Sequence, residues 1–398
     1  MRSFLMVVAA AAFLAAGTSA VRAQGQFPLK YALAEENDPL TTAGMGYSGG
    51  TSTRPPQIKT LPDGLSDKVR YFAISVGGKS LWAALDAASP PKLYVDVART
   101  GDLSAVAPLV GKASGSQCCY GPVDIAAGNG EGAPTVKVLF VSIGNNEILG
   151  GRAAGYMAGA AKLDGQTYRV AVLDKNLDGR YECVFGKDGM SQPWWRADAI
   201  AIDANQDGKF IGGMGSGEIM PLSKAVCVKG KYYRVEVAPD GSSIRLEKYE
   251  PKMGTLDIGL DASLMLMSDT GMYNLSGSGG KWQVPEGAYE CENLSVTKTD
   301  AKGKAWTLSG SDVGPLAKFQ VSGGETASIK IGPPLALKVD ADGPQSGGEI
   351  VLNLALAGKA GETYALGLRQ GATQSPPPNV KVLAASGKVL AEGKSEFG

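Results

Sequence analysis

The sequence predicts a mainly β protein built from several small antiparallel sheets or sandwiches in tandem. Two segments, Tyr168-Arg-Val-Ala-Val172 and Tyr233-Arg-Val-Glu-Val237, alternate polar and apolar residues with the period of two that is typical of a half-buried strand. Turn residues punctuate the chain, with 55 glycines and 22 prolines among 398 residues. No segment longer than about 12 residues keeps a helical apolar period, apart from the N-terminal apolar run and a weak stretch from 152 to 161. Strands on short turns therefore account for most of the chain.

The first 23 residues have the pattern of a secretory signal peptide. Arg2 precedes an apolar run from 4 to 16, and Val21-Arg22-Ala23 offers small residues at the two positions that a signal peptidase recognises. The run is too short to span a bilayer, and no later stretch approaches about 20 apolar residues. We therefore expect a mature chain from about Gln24 that is secreted, periplasmic or held at the cell surface, with no integral membrane segment.

Charge gives no reason to expect nucleic acid as a partner. The chain has 39 basic and 39 acidic residues, and removal of Arg2 and Arg22 with the signal leaves 37 basic residues against 39 acidic ones. No cluster or stripe of Lys and Arg carries interleaved aromatic residues. A protein or a glycan is the expected class of partner.

Composition divides the mature chain into four segments. A stretch rich in Thr, Gly, Pro and Ser predicts a flexible lead-in, and the acidic loops described below fall in the β domain that follows. The last segment resembles an immunoglobulin-like or fibronectin-like sandwich but is short, so a closing strand can be missing and the chain truncated. The predicted segments are 24–65 (lead-in), 66–250 (β domain with the acidic loops), 251–332 (small β-sandwich) and 333–398 (immunoglobulin-like sandwich).

A short degenerate repeat supports the β prediction. A glycine, then Lys or Gln, then an aromatic residue within a few positions recurs along the chain. Each copy predicts a hairpin turn that begins a strand whose aromatic side chain covers a core, although such turns are common in unrelated β proteins. The copies begin at Gly78, Gly165, Gly230, Gly280 and Gly303.

Histidine is absent from the whole chain. Mechanisms that need an imidazole base, and metal sites that include histidine, are excluded within this chain, which makes an ordinary hydrolase less favoured. The five cysteines form no C-x-x-C pair typical of a zinc or redox site. One or two structural disulfides are compatible with an oxidising compartment. We expect the adjacent Cys118 and Cys119 to be two thiols in a turn rather than a vicinal disulfide.

Two short acidic loops are the main functional signal. They are Asp174-Lys-Asn176-Leu-Asp178-Gly179 and Asp203-Ala-Asn205-Gln-Asp207-Gly208. Oxygen side chains at positions 1, 3 and 5 can converge on one hard cation, and glycine at position 6 permits the sharp turn that this requires. Each loop follows an apolar strand and precedes a basic and an aromatic residue, which favours calcium binding over a simple turn.

The first loop resembles the strand-flanked loops of FG-GAP-type and other DxDxDG repeats, as found in exported bacterial β proteins. Position 12, a glutamate in a helix-loop-helix EF-hand, is Phe185 here and Met214 in the second loop, so the EF-hand geometry is not supported. The resemblance covers about nine residues per loop. It implies calcium ligands from the side chains of Asp174, Asn176, Asp178 and Glu182 and from the carbonyl of Arg180.

In the second loop the resemblance extends to Asp203, Asn205 and Asp207, with the carbonyl at Lys209. Position 9 is Ile211, so a further ligand has to come from elsewhere, with Glu218 and Asp198 as candidates. The alternative is that both loops are Asx turns that need no ion.

A third copy, at 96–102, lacks oxygen at position 3 and has only Thr100 at position 5. It predicts a relic rather than a metal site. Three copies are also too few for the blades of a β-propeller.

These observations predict an exported, non-enzymatic calcium-binding β protein with a structural or interaction role. One alternative is a carboxylate-based hydrolase that uses Asp269, in the triplet Asp269-Thr-Gly271, or the pair Glu218 and Asp198. A hairpin turn is the simpler interpretation of that triplet. Another alternative is a carbohydrate-binding module with Trp194-Trp195 as a stacking platform, although adjacent tryptophans more often pack in a core.

Overall fold

The computed structural model confirms a mainly β chain with several separate sheets. It describes residues 25–394 except 36, 43, 45, 129–131, 187–193, 213–216 and 344–350. The predicted signal peptide and the last four residues, 395–398, lie outside the described part. Within that part no helix has the length and apolar character needed to cross a bilayer.

The first half of the described chain contains seventeen strands, one helix, α1 (Pro39–Thr42), and a 3-10 helix at Trp194–Arg196. The strands are β1 (Gln26–Leu33), β2 (Gly46–Gly49), β3 (Val69–Val76), β4 (Lys79–Asp86), β5 (Lys92–Val95), β6 (Leu109–Val110), β7 (Lys112–Ser114), β8 (Gln117–Ala126), β9 (Thr135–Ile143), β10 (Ile148–Ala153), β11 (Gly155–Leu163), β12 (Gln166–Leu173), β13 (Ala199–Ile202), β14 (Ile219–Pro221), β15 (Ala225–Val228), β16 (Lys231–Val237) and β17 (Ser243–Tyr249).

Two packed sheets form the first sandwich. One is the meander β3-β4-β5-β6, and the other has the order β2-β10-β9-β8-β7. Alternate residues of β3, β4, β5, β8 and β9 fill the core between them, which includes Phe72, Leu81, Tyr120 and Phe140. Strand β2 lies at the edge beside β10, and Thr51, just after it, bridges Tyr71 of β3.

The second sandwich is a single sheet of eight strands, in the order β14-β13-β12-β11-β1-β17-β16-β15. Strands β11 to β14 form one half, strands β15 to β17 form the other, and the two halves enclose a common core. Its core draws buried side chains from both halves, such as Val170 and Ile200 from one and Tyr233 and Leu246 from the other. Strand β1 pairs with β11 along one part of its length and with β17 along another, so it joins the two halves.

The two sandwiches share one topology. Each has a first meander (β3 to β6, or β11 to β14), a second meander (β7 to β10, or β15 to β17), and an early strand that links the start of the first meander to the end of the second. The linking strand is β2 in the first sandwich and β1 in the second. Residues 26 to 249 therefore form two sandwiches of similar strand order.

The remaining strands form a third core and a terminal hairpin. They are β18 (Met253–Asp257), β19 (Ala262–Ser268), β20 (Met272–Gly277), β21 (Lys281–Pro285), β22 (Gly287–Thr299), β23 (Ala305–Asp312), β24 (Phe319–Val321), β25 (Thr326–Ser328), β26 (Ala336–Asp342), β27 (Val351–Ala357), β28 (Thr363–Tyr364), β29 (Arg369–Gln370), β30 (Thr373–Gln374), β31 (Asn379–Leu383) and β32 (Val389–Lys394), with a 3-10 helix at Gly314–Leu316.

Strands on both sides of the predicted boundary at 332 belong to one ten-stranded sheet. Strand β28 pairs with β23, and the fully buried Tyr364 belongs to the same core as Leu266 and Tyr289. Strands β18, β21 and β25 form a separate three-stranded sheet in which the pair β18–β25 is parallel. The segments 251–332 and 333–398 are therefore in contact through strand pairing.

Several local predictions need correction. The expected lead-in, 24–65, contributes β1 to the middle of a sheet and buries Leu40 and Ile58, because its apolar residues are spaced between the polar ones. The weak helical stretch from 152 to 161 lies in strands β10 and β11, since sheet pairing overrides a marginal helical period. Four of the five repeat glycines lie in hairpins, but Gly280 precedes β21, which pairs with β18.

The placement of the adjacent cysteines also differs from expectation. Cys118, Cys183, Cys227 and Cys291 are free thiols. Cys118 and Cys119 lie within strand β8 rather than in a turn, where they pair with Ser142 and Val141 of β9.

The linking role of β1 predicts a large effect for a core truncation there. Leu29 is 4% exposed and packs in the core of the second sandwich, whereas Leu33 on the same strand is 63% exposed. We expect Leu29→Ala to lower the free energy of unfolding by about 3 kcal/mol and Leu33→Ala to change it by less than about 0.5 kcal/mol. Urea denaturation of the two variants measures this. Equal losses would contradict the placement of β1.

Candidate metal loops

The first loop, residues 174 to 182, directly follows β12. The carboxylate of Asp174 accepts the backbone N–H of Asp178 on one oxygen (3.2 Å) and that of Gly179 on the other (2.7 Å). The amide oxygen of Asn176 accepts the same Asp178 N–H at 3.1 Å, and its amide nitrogen donates to Asp178 Oδ2 at 2.9 Å. The side chains at positions 1 and 3 therefore share one backbone N–H, and the carboxylate at position 5 contacts the amide at position 3.

The second loop, residues 203 to 208, directly follows β13 and repeats this arrangement. The Asp203 carboxylate accepts the N–H groups of Asp207 (3.1 Å) and Gly208 (2.9 Å). Asn205 accepts the Asp207 N–H at 2.8 Å and donates to Asp207 Oδ2 at 3.1 Å. At position 7 the backbone N–H of Lys209 donates to Asp207 Oδ1 at 2.9 Å, so the two loops have the same fold.

The backbone explains why glycine occupies position 6. Gly179 and Gly208 have φ values of 76° and 84°, in the left-handed region that a residue without Cβ adopts at little cost. Position 4 is left-handed as well, at Leu177 (58°) and Gln206 (65°). Two left-handed residues in six bend the chain sharply enough to bring positions 1, 3 and 5 together.

The predicted relic at 96–102 has the same turn. The Asp96 carboxylate accepts the N–H groups of Thr100 (3.0 Å) and Gly101 (2.7 Å), and Arg99 and Gly101 have φ values of 55° and 80°. Position 3 is Ala98, so this loop lacks one of the oxygens that the other two have. Because it adopts the same shape, the turn itself does not require the complete set of ligands.

Asp198 supports the first loop. This fully buried carboxylate accepts the backbone N–H of Lys175 (3.1 Å) on one oxygen and that of Cys183 (3.0 Å) on the other. It therefore holds together the start and the end of the first loop, and does not lie at the second loop, for which the sequence made it a candidate ligand. A carboxylate with both oxygens engaged in this way is also poorly placed to act as a catalytic group.

Glu218 supports the second loop in the same manner. Its buried carboxylate accepts the backbone N–H of Asn205 (3.0 Å) and that of Ile211 (3.1 Å). The sequence identified Glu218 as a candidate ligand for this loop, and the structure places it there through these backbone contacts.

The remaining predicted ligands are more exposed. Glu182 forms an ion pair with the guanidinium of Arg180 at 3.0 Å, and the backbone N–H of Arg180 donates to Asp178 Oδ1 at 2.8 Å. Among the described residues, no group of three or more His, Cys, Asp or Glu side chains is arranged to hold a metal ion. Glu182 is thus not gathered with Asp174 and Asp178 as the other predicted ligands are.

Burial gives the first loop an unusual electrostatic environment. Burial, followed by the charge of Asp178, raises the pKa of Asp174 to about 7. Burial, followed by the charge of Asp174, raises the pKa of Asp198 to about 8. A small cavity of about 170 Å³ adjoins Asp174 and is also lined by Tyr181 and Asp240. Desolvated carboxylates in such proximity favour the binding of a proton or a cation.

The first loop also joins the two sandwiches. Leu177, 4% exposed, belongs to the core of the first sandwich although its loop extends from the second. The backbone N–H of Gly77, in the β3–β4 turn, donates to the carbonyl of Asn176 at 3.2 Å. Sequence reasoning missed Leu177, whose signal was an apolar residue at a position where the second loop has Gln206.

The candidate protease triplet forms a hairpin turn. Asp269, Thr270 and Gly271 connect β19 and β20, and the N–H of Ser268 donates to the carbonyl of Gly271 at 2.9 Å. The hydroxyl of Ser268 lies 2.8 Å from that of Thr270. These hydrogen bonds are those of a tight turn, and they explain the presence of the triplet between the two strands.

The two adjacent tryptophans have different environments. Their rings pack edge to face, with centroids 5.9 Å apart and an interplanar angle of 85°. Trp194 packs against a small core that includes Phe185 and Met267, whereas Trp195 is 54% exposed.

Comparison of the chain with protein-family models, with curated proteins and with solved structures gave no match.

The position of Leu177 predicts a loss of stability that the equivalent residue of the second loop does not share. Leu177→Ala should lower the unfolding midpoint by several degrees, because it leaves a cavity in the first sandwich. Gln206→Ala removes an exposed side chain from the same left-handed position, so it should lower the midpoint by less than about 2 °C. Differential scanning calorimetry compares the two. A similar fall in both would mean that loop strain, and not the junction, determines the effect.

Proposed function

We propose that this chain is an exported, non-enzymatic β protein in which calcium rigidifies the loops at 174–182 and 203–208. The observation on which the proposal rests is that two loops of matching sequence link the side chains at positions 1, 3 and 5 by the same hydrogen bonds. The signal-like N-terminus supports export. In this proposal the C-terminal strands would serve as a spacer or interaction surface.

The donor set suits a hard divalent cation. In the first loop Asp174, Asn176 and Asp178 would supply side-chain oxygens, Arg180 its carbonyl, and Glu182 a further carboxylate after it leaves Arg180. That exchange costs little, because an exposed ion pair contributes little to stability. In the second loop Asp203, Asn205 and Asp207 would act with the carbonyl of Lys209, and Glu218 would hold the backbone around them.

The location of the first loop suggests what calcium would accomplish. Leu177 and the carbonyl of Asn176 attach the loop to the first sandwich, while Asp174 extends from β12 of the second. An ion at the first loop would therefore restrict movement of one sandwich relative to the other. An ion at the second loop would stabilise that loop and the adjacent end of β13.

Calcium should raise the unfolding temperature of the mature chain, and position 5 of each loop should account for the rise. At a hundredfold excess over Kd, binding to the folded state adds about 2.7 kcal/mol per site. The test is thermal unfolding from Gln24 onward with calcium at about 10 mM, above the 10⁻⁴ to 10⁻³ M range of extracellular calcium modules, and with chelator.

The variants Asp178→Asn and Asp207→Asn keep an oxygen that can accept the N–H of Arg180 or Lys209 while removing one charge from each loop. Each variant should lose part of the calcium-dependent rise, and the double variant should lose nearly all of it. Asp102→Asn, which removes one carboxylate charge at position 7 of the third loop, is the control and should retain the full rise. If the wild-type midpoint is the same with calcium and with chelator, the loops are Asx turns and the proposal is wrong.

The third loop offers a gain-of-function test. Ala98 and Thr100 are both exposed, and the backbone around them already has the required shape. The double substitution Ala98→Asn and Thr100→Asp should therefore add one calcium per chain, as counted by isothermal titration calorimetry. An unchanged stoichiometry, with the fold intact by circular dichroism, would show that oxygens at positions 1, 3 and 5 on this backbone are insufficient.

A further inference from the structure

A groove lies where the two sandwiches meet. The binding inferred for it is independent of calcium binding in the loops. One side is formed by Tyr47 and Ser48 on β2 and by Ser75 on β3. The other side is formed by Lys175 and Asn176 of the first loop and by Trp195 and Arg196 of the 3-10 helix. Its volume of about 880 Å³ is within the range of small-ligand sites, which often lie between domains.

Two aromatic rings are exposed at this groove. Trp195 is 54% exposed and Tyr47 is 51% exposed. Trp195 is nevertheless held in place, since its ring packs edge to face on Trp194, which is itself anchored in a small core. An exposed but immobilised aromatic ring provides an apolar face at low entropic cost, and such a face stacks on the C–H surface of a pyranose ring.

The charges at the groove have one sign. Lys175 and Arg196 line it, and none of the described residues that line it is Asp or Glu, although the chain as a whole has equal numbers of basic and acidic residues. Neither side chain forms an ion pair with another described residue. The groove therefore favours an anionic ligand.

Hydrogen-bonding groups complete the lining. Ser48 and Ser75 contribute hydroxyls, and the exposed Asn176 contributes an amide. Two cations are too few for the continuous basic track by which proteins hold single-stranded nucleic acid. Stacking rings, neutral hydrogen-bonding groups and a small number of cations match a chain of sugars that carries carboxylates at intervals.

We propose that this groove binds an acidic polysaccharide of uronic acid units, with Trp195 and Tyr47 stacking on sugar rings and with Lys175 and Arg196 pairing with the carboxylates. The inference does not require calcium in the loops, so all binding experiments are done with chelator as well as with calcium. Failure of the calcium proposal would appear as an unchanged unfolding temperature, and failure of this one as an absence of binding.

The test is calorimetric titration of the mature chain with a galacturonate tetramer and, in parallel, with the neutral galactose tetramer, together with tryptophan fluorescence. The acidic tetramer should bind at least about tenfold more tightly, as expected for charge-assisted pairing with Lys175 and Arg196. Its affinity should fall as salt is raised, and fluorescence should change on binding.

Three variants locate the site. Trp195→Ala should weaken binding of the acidic tetramer by about tenfold or more and abolish the fluorescence change. Arg196→Gln should weaken the acidic tetramer by about tenfold but leave the neutral one unchanged. Arg369→Gln, an exposed arginine on β29, is the matched control and should bind like wild type. Both Trp195 and Arg196 are exposed, so their variants should remain folded, as checked by circular dichroism.

Several results would overturn the proposal. No heat with the acidic tetramer at millimolar concentration would exclude the ligand class. Equal affinity for the neutral tetramer would exclude the role of charge, and binding unaffected by Trp195→Ala would exclude this groove. Tighter binding of a short single-stranded DNA than of the tetramer would assign the groove to nucleic acid instead.

Discussion

The structure of the acidic loops depends on one repeated interaction, a buried aspartate at the end of a strand that accepts the backbone N–H groups four and five residues later. Asp96, Asp174 and Asp203 all make it, and all three are buried. The interaction satisfies two N–H groups where sheet pairing has stopped, and a charged acceptor makes those bonds stronger than neutral ones. Without it, the strand ends would leave polar backbone unpaired near a core.

The three loops differ in what they attach to. At position 4 the side chain of Arg99 donates to the carbonyl of Ala126 in its own sandwich, and that of Gln206 donates to Thr167 in its own sheet. Leu177 instead enters the core of the other sandwich. Of three similar turns, one therefore forms the junction between the two sandwiches through a single apolar side chain.

The parts of this structure that could be predicted from sequence are those determined within a few residues. The strands at 168–172 and 233–237, the hairpin at Asp269 and the turn around Gly179 follow from period-two patterning and from turn chemistry, which are local. The pairing of β1 with β17 joins residues more than two hundred positions apart, and no local pattern indicates it. The insertion of Leu177 is equally non-local, because a single apolar residue in a polar loop does not identify the core that receives it.

The first loop physically connects the two proposed properties, calcium binding in the loop and ligand binding in the groove. The carboxylate of Asp174 accepts backbone N–H groups inside the turn, whereas its immediate neighbour Lys175 lines the groove. A cation held by the aspartates would add positive charge beside a groove that already has two cations and would stiffen the backbone from which Lys175 extends. Both effects favour an anionic ligand, the first by Coulomb attraction and the second by reducing the entropy lost on binding. By reciprocity, such a ligand must then raise the calcium affinity of the first loop by the same factor. The side chains of the second loop do not line the groove, so a ligand there has no direct contact through which to change the calcium affinity of that loop.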